Sequence, residues 1–286
     1  MVEVGKQERK FVFTAGLLLL LVFTFTDLQI SMTIAKKPDF ARVLEIVGEI
    51  PFTVLTLAGC GMIIRFRNRN SMVKKQGALI GGGILFSLFA AMGGFMTWNY
   101  LSRNLGEISK IWILILGVIM AAVAIWITMQ IPEKNRKKAL RFAAVALVYF
   151  VLVLILMNCL KTVWERMRFR EMTDPFNEFT RWYQICGRGG FDDRYASFPS
   201  GHSMNSAGVI LMILLPDFIP ALKDKRKVLR VCTYVWCVVV GISRVFMGAH
   251  FASDVTVGIL LSFALFDLTS TILYKRKGEK ESAELD

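Results

Sequence analysis

Histidine occurs only twice in 286 residues, and cysteine five times. Two imidazoles, both committed to the short motifs described below, leave no separate His/Cys cluster of the kind that holds a metal, and no metal or other cofactor is expected. Cys60, Cys159, Cys232 and Cys237 fall inside apolar runs and only Cys186 lies in a polar segment, which excludes a disulfide framework and leaves the thiols as small packing residues. Acids are scarce too, 22 Asp and Glu against 35 Lys and Arg, for a net charge of +13. Such a balance in a soluble chain would point to nucleic acid. Here the basic residues sit in short tracts between apolar runs, the pattern by which positive charge orients a membrane protein, so no nucleic-acid partner is expected. The chain has no internal repeat, and low complexity is confined to a polar tail at 275–286 that reads as disordered.

What the chain has in quantity is apolar length. It is 55% hydrophobic with a mean hydropathy of +0.51, and its apolar stretches approach the ~20 residues that a helix needs to cross a bilayer. Eight spans are predicted, at 11–31, 43–64, 77–100, 111–131, 139–160, 200–219, 228–247 and 249–273. The fold class is therefore all-α, a polytopic membrane helix bundle. Twenty Lys and Arg lie in the two termini and the even-numbered loops, against six in the opposite set once 161–199 is set aside. The termini are expected in the cytoplasm. The first apolar run continues through Asp27 with no small-residue cleavage site, so it reads as an uncleaved span. Gly77, Gly81, Gly82, Gly83, Gly93 and Gly94 of the third span, with Gly77 and Gly81 at small-xxx-small spacing, read as a helix-packing signal.

Both histidines stand in motifs suited to phosphoryl transfer. His250 and Asp254 are four apart, so a helix running through both would put them on one face, with the carboxylate fixing the tautomer and one ring nitrogen free to attack. Arg244, six residues earlier, offers a planar guanidinium to a phosphate. Pro199-Ser200-Gly201-His202 reads as a helix start, with Ser200 as cap, Gly201 allowing close backbone approach and free amides favouring an anion. Lys161 and Arg168 add two cations in a segment made unusually basic by Arg166 and Arg170. Each feature alone has a plainer reading: a His–Asp pair joining helices, a snorkelling arginine, an ordinary cap, attraction to headgroups. Eight spans put them all on one face, directed away from the cytoplasm.

In this order the motifs resemble the type 2 phosphatidic acid phosphatase superfamily, whose pattern is Lys, six residues, Arg-Pro; Pro-Ser-Gly-His; and Ser-Arg, five residues, His, three residues, Asp. They run here from Lys161 to Arg168, from Pro199 to His202, and from Ser243-Arg244 to His250 and Asp254; the first departs from the pattern at Phe169, where proline is usual. The resemblance implies a six-helix core over 77–273, with 1–76 holding two additional helices and 274–286 a cytoplasmic tail. It implies His250 as nucleophile, Asp254 as its orienter and His202 as general acid, with Lys161, Arg168, Ser200, Gly201 and Arg244 cradling the phosphate, and no metal.

The substrate so implied is a lipid phosphate, such as undecaprenyl pyrophosphate, phosphatidic acid or phosphatidylglycerol phosphate, met at the outer face of a plasma membrane, with a bacterial one favoured. A lipid phosphotransferase would use the same intermediate. A proton-coupled transporter is the reading from another class, and the gathering of ionisable residues at one face rather than the midplane speaks against it. Phe176, Phe179, Trp182, Tyr183 and Phe191 alternate with charges, as either a lid or a headgroup-level connector would. Asp27, Glu45 and Glu49 either repel or orient a charged headgroup or pair with Lys36, Lys37 and Arg42, and the pairing is the favoured expectation.

Overall fold

The computed structural model describes residues 4–67, 71–173, 176–187 and 192–283, with side chains through 273; Phe191 of the aromatic segment lies outside these. Every regular element among the described residues is helical. After α1 (Lys6–Ile34), α2 (Asp39–Val47) and α3 (Ile50–Arg65) form one crossing bent at Gly48 and Glu49. A long hairpin follows, α4 (Met72–Leu105) and α5 (Ile111–Met129), with Ser71 capping α4 by accepting the Lys74 amide. Next comes α6 (Arg136–Trp164), which stops where Glu165 takes a left-handed conformation at φ 45°. A connector containing two 3-10 turns, Phe169–Glu171 and Asp193–Tyr195, leads to α7 (Gly201–Ser206), α8 (Arg226–Phe246) and α9 (Ala252–Ala283).

Seven helical segments among the described residues are long and apolar enough to cross a membrane. Leu17, Leu18 and Phe25 of α1, Ile80 and Ile84 of α4 and Trp126 of α5 stand exposed on the outside of the bundle, the arrangement of a protein whose solvent is lipid. Association there relies on packing and polar bonds, because lipid tails remove the hydrophobic drive between helices. The Asp39–Arg65 crossing is the most enclosed of the seven, packed against α4, α5 and α6. Its Phe52 meets the rings of Tyr149 and Phe150 at 5.4 and 5.5 Å. Thr128 of α5 donates to the Ala58 carbonyl at 3.3 Å, and Ser262 of α9 to the Met204 carbonyl at 2.8 Å. Such bonds are worth about 0.6 kcal/mol each in a membrane.

The predicted span at 200–219 takes a different form. After the six residues of α7 the chain tightens into a 3-10 helix, Ala207–Asp217, with Pro216 inside it. Its residues from Ala207 to Leu211 and from Ile213 to Pro216 are all buried. The poorer hydrogen bonding of a 3-10 helix is tolerated at membrane depth because protein rather than lipid surrounds it. At rises of about 1.5 and 2.0 Å per residue the two pieces extend roughly 30 Å, enough to cross the hydrocarbon. The ends agree: Gly201 sits against Lys161, at the close of α6, while the Phe218 carbonyl accepts from Asn135 at its start, at 2.9 Å. Among the described residues the chain thus runs the length of the bundle eight times, seven of them as a helix long and apolar enough to cross a membrane.

Two further expectations change. Of the six glycines, Gly77, Gly81 and Gly83 face open space, whereas Gly82, Gly93 and Gly94 pack as expected: Gly94 rests on the Ile113 carbonyl, and a Cβ on Gly117 of α5 would lie 2.8 Å from the Ala90 carbonyl. The periodicity of a glycine motif does not reveal which of several glycine pairs faces a neighbour. The polar tail read as disordered is helical as far as Ala283, and residues 284–286 lie outside the description.

Candidate active site

The end of α6 brings Lys161 inward, near the negative end of the helix dipole. Its ammonium donates to the Ala196 carbonyl at 2.5 Å. A Cβ on Gly201 would lie 3.3 Å from Lys161 Cε and 2.7 Å from Met157 Sδ, so a bare residue at this position lets the lysine reach the start of α7. Beyond the left-handed turn at Glu165 the chain is extended at Arg168, φ −73° and ψ 142°, and the Arg170 amide donates to the Gly248 carbonyl at 2.9 Å. Motif one is thereby tied to motif three. Phe169, standing where proline is usual, stacks on Phe176 at 5.4 Å and meets Phe251, the neighbour of His250, edge-on at 6.2 Å.

Ser200 caps α7 as its position predicts, accepting from the Ser203 amide at 3.3 Å. Its hydroxyl also pairs with that of Ser203 at 2.8 Å, and its own amide donates to the Asp254 carbonyl at 3.0 Å. Ser200 is fully buried and its side chain serves the turn, whereas Gly201 reaches the cavity wall. His202 Nδ1 lies 3.0 Å from the Glu49 carboxylate, at ion-pair distance but without hydrogen-bond alignment. The ring meets Tyr100 edge-on at 5.1 Å, and a Cβ on Gly48 would come within 2.7 Å of Nε2.

Motif three departs from its expected geometry. α9 begins only at Ala252, and Gly248, at φ 61°, turns the chain after α8, so His250 stands in the bend and not on a helical face shared with Asp254. Its Nδ1 is 2.7 Å from the Ser197 carbonyl, which only accepts; Nδ1 therefore carries the proton and Nε2 holds the lone pair. Asp254 accepts from Ser197 Oγ at 2.6 Å, the Phe251 amide at 2.9 Å and Arg166 at 2.5 Å, and it reaches His250 through Ser197. Burial, reinforced by the charges of Lys161, Arg168 and Arg244, holds the protonation of His250 well below the ordinary value of 6.5. The sign follows: an unfolded chain takes up this proton as the pH falls through about 6.5 while the folded one does not. The group's contribution to stability is complete above that value and is lost as the pH falls through the folded one.

Lys161, Arg168, Gly201, His202, Arg244 and His250 line one cavity of about 290 Å³. Asp254 lies behind it, fully buried. The cavity holds buried donors without protein partners among the described residues: Nε of Arg168, and both Nε and Nη1 of Arg244. Unsatisfied guanidinium donors in a buried polar site suit an anion.

The opposite wall comes from residues whose role sequence reasoning missed. Glu45 pairs with Arg244 at 2.8 Å and accepts from Asn104 at 2.9 Å, while Glu49 faces His202. Asp27 pairs with Arg166 at 3.1 Å. The three acids thus turn away from Lys36, Lys37 and Arg42 and into the bundle. The available signal was their position, acids within apolar runs, which is costly unless a buried cation compensates.

Among the described residues, fold and site together give a helical membrane bundle whose cavity gathers unpartnered guanidinium donors and two imidazoles. Residues 142–277 match the PAP2 superfamily. Over 74 residues it is 45% identical to the phosphatidylglycerophosphatase B of Bacillus subtilis (strain 168), a stretch covering 25% of this chain and 36% of that protein. The match therefore spans about a third of that relative's length. No solved structure matches the chain significantly.

Proposed function

We propose that this protein is a membrane lipid phosphate phosphatase that forms a phosphohistidine and needs no metal. The observation that carries the reading is the set of partnerless guanidinium donors facing two histidines in one cavity. Lys161, Arg168, Arg244 and the Gly201 backbone hold the phosphate oxygens. Nε2 of His250 attacks phosphorus, the P–N bond forms as the P–O bond to the lipid breaks, and His202 gives its proton to the leaving oxygen. In the second half His202 takes a proton from water, whose oxygen attacks phosphorus and breaks the P–N bond, releasing phosphate and restoring both rings. The relative's name favours a glycerol-linked phosphomonoester among the lipids considered. We retain the division into 1–76, 77–273 and 274–286, with Glu45 and Glu49 of the first region completing the cavity.

Purified protein offered phosphatidylglycerol phosphate, phosphatidic acid and undecaprenyl pyrophosphate should release inorganic phosphate from at least one, equally well in the presence of chelator. Vanadate, as a mimic of five-coordinate phosphorus, should inhibit competitively. Activity that disappears in chelator and returns with one divalent ion counts against the mechanism, and transfer to an added lipid instead of water favours the phosphotransferase. Because His250 stays neutral to low pH, the acid limb of kcat/KM should lie below pH 6.5; a limb centred at or above that value removes His250 as the attacking base.

The site faces away from the cytoplasm in this reading. In a background without native cysteines, Asp192→Cys should react with an impermeant maleimide on intact cells and Lys134→Cys should not. Reversed labelling would place the chemistry on the cytoplasmic side.

A further inference from the structure

We propose that Asp27, on α1 and far outside the residues that match the family, is a positioning residue for the active site: acting through the buried Arg166, it fixes Asp254 and, by way of Ser197, the imidazole of His250. The inference rests on the phosphatase reading for its kinetic consequence, though not for its geometry. Arg166 has no exposed surface, and Asp27, Ser253 and Asp254 around it are 2%, 0% and 0% exposed. One end of the guanidinium, Nη1, donates to Asp254 at 2.5 Å and to Ser253 Oγ at 2.9 Å; the other, Nη2, donates to Asp27 at 3.1 Å. Nε donates to the Thr180 carbonyl at 2.9 Å, and the guanidinium lies 4.1 Å from the centre of the Phe251 ring. The Arg166 carbonyl in turn accepts the Ser197 amide at 3.0 Å.

Asp27 fastens the far side of this assembly. It accepts the Ser253 amide at 3.0 Å and the Ser253 hydroxyl, so it grips both the arginine and the residue preceding Asp254. Each carboxylate then receives three donors: Asp27 from Arg166 and twice from Ser253, Asp254 from Arg166, Ser197 and the Phe251 amide. From there the line runs through Ser197, whose hydroxyl binds Asp254 and whose carbonyl binds His250 Nδ1. A planar fork is required at the centre, because one cation must bridge two carboxylates in fixed directions, which a lysine cannot do. A simple helix-to-helix tie would need only the Asp27–Arg166 pair. The bonds continuing to Asp254, Ser197 and His250 connect α1 to the reacting ring.

Asp27→Asn preserves shape and leaves Arg166 and Asp254 as a neutral pair, so the bundle should assemble. The expected result is a kcat about tenfold lower with KM changed less than twofold. In an Asp254→Asn background the same substitution should cost less than twofold, since the line is already cut. Arg166→Lys, which keeps the charge and loses the bridge, should lower kcat in the same way. An equal loss in both backgrounds, or a loss confined to KM, would overturn the proposal. A readout independent of turnover comes from the two histidines: with ¹⁵N-histidine labelling, Asp27→Asn should move the His250 Nδ1 resonance and leave that of His202 in place. An unmoved His250 resonance sinks the clamp even if activity falls. If the wild-type protein hydrolyses no lipid phosphate the proposed function fails, and the imidazole resonances still decide the clamp.

Discussion

Alanine at position 250 should abolish turnover and the trapped phosphoenzyme together, with a loss of at least about 10³-fold, because it removes the nitrogen that the proposed reaction bonds to phosphorus. His250 has its Nδ1 proton committed to the Ser197 carbonyl and its Nε2 lone pair uncommitted, held neutral by burial and by three neighbouring cations. The measurement is acid-labile, base-stable phosphate label on quenched protein. Label persisting on His250→Ala would move the nucleophile elsewhere, and His202 would be the residue to test next.

Alanine at position 202 should behave differently. A general acid contributes about 10²–10⁴-fold when the leaving oxygen is poor and little when it is good. His202→Ala should therefore lose about 10³-fold on an alkyl lipid phosphate yet still be phosphorylated by an activated aryl phosphate. The phosphoenzyme should then accumulate, because the same ring is needed to deprotonate the attacking water. Equal losses on both substrates would reduce His202 to a phosphate ligand.

The membrane class and seven of the eight spans were legible because apolar runs of span length express the constraint that the hydrocarbon thickness imposes. The cluster of Lys161, Arg168, Gly201, His202, Arg244 and His250 was legible because each lies at the end of a run, and an even number of crossings brings such ends together. The departure of His250 from a helical face shared with Asp254 was not, since it depends on a helix start at Ala252 that no cap residue announces. Arg166 looked like one more base in a basic segment. Its partner Asp27 is 139 positions away, and periodicity carries no information about pairings at that distance. Which of the six glycines of α4 face a neighbour was hidden in the same way.

Two cations of the cavity are already in company: Glu45 lies 2.8 Å from Arg244 and Asp193 lies 2.7 Å from Arg168. In the proposed reaction an arriving phosphate would take the unpartnered Nε of Arg168 and Nε and Nη1 of Arg244, while these carboxylates on the remaining nitrogens compete with it for the same two charges. Tight retention of free phosphate is thereby discouraged, since a covalently tethered rival sits at high effective concentration beside each guanidinium. Product should leave readily, and its build-up in the surrounding medium should slow the enzyme less than the number of nearby positive charges would suggest.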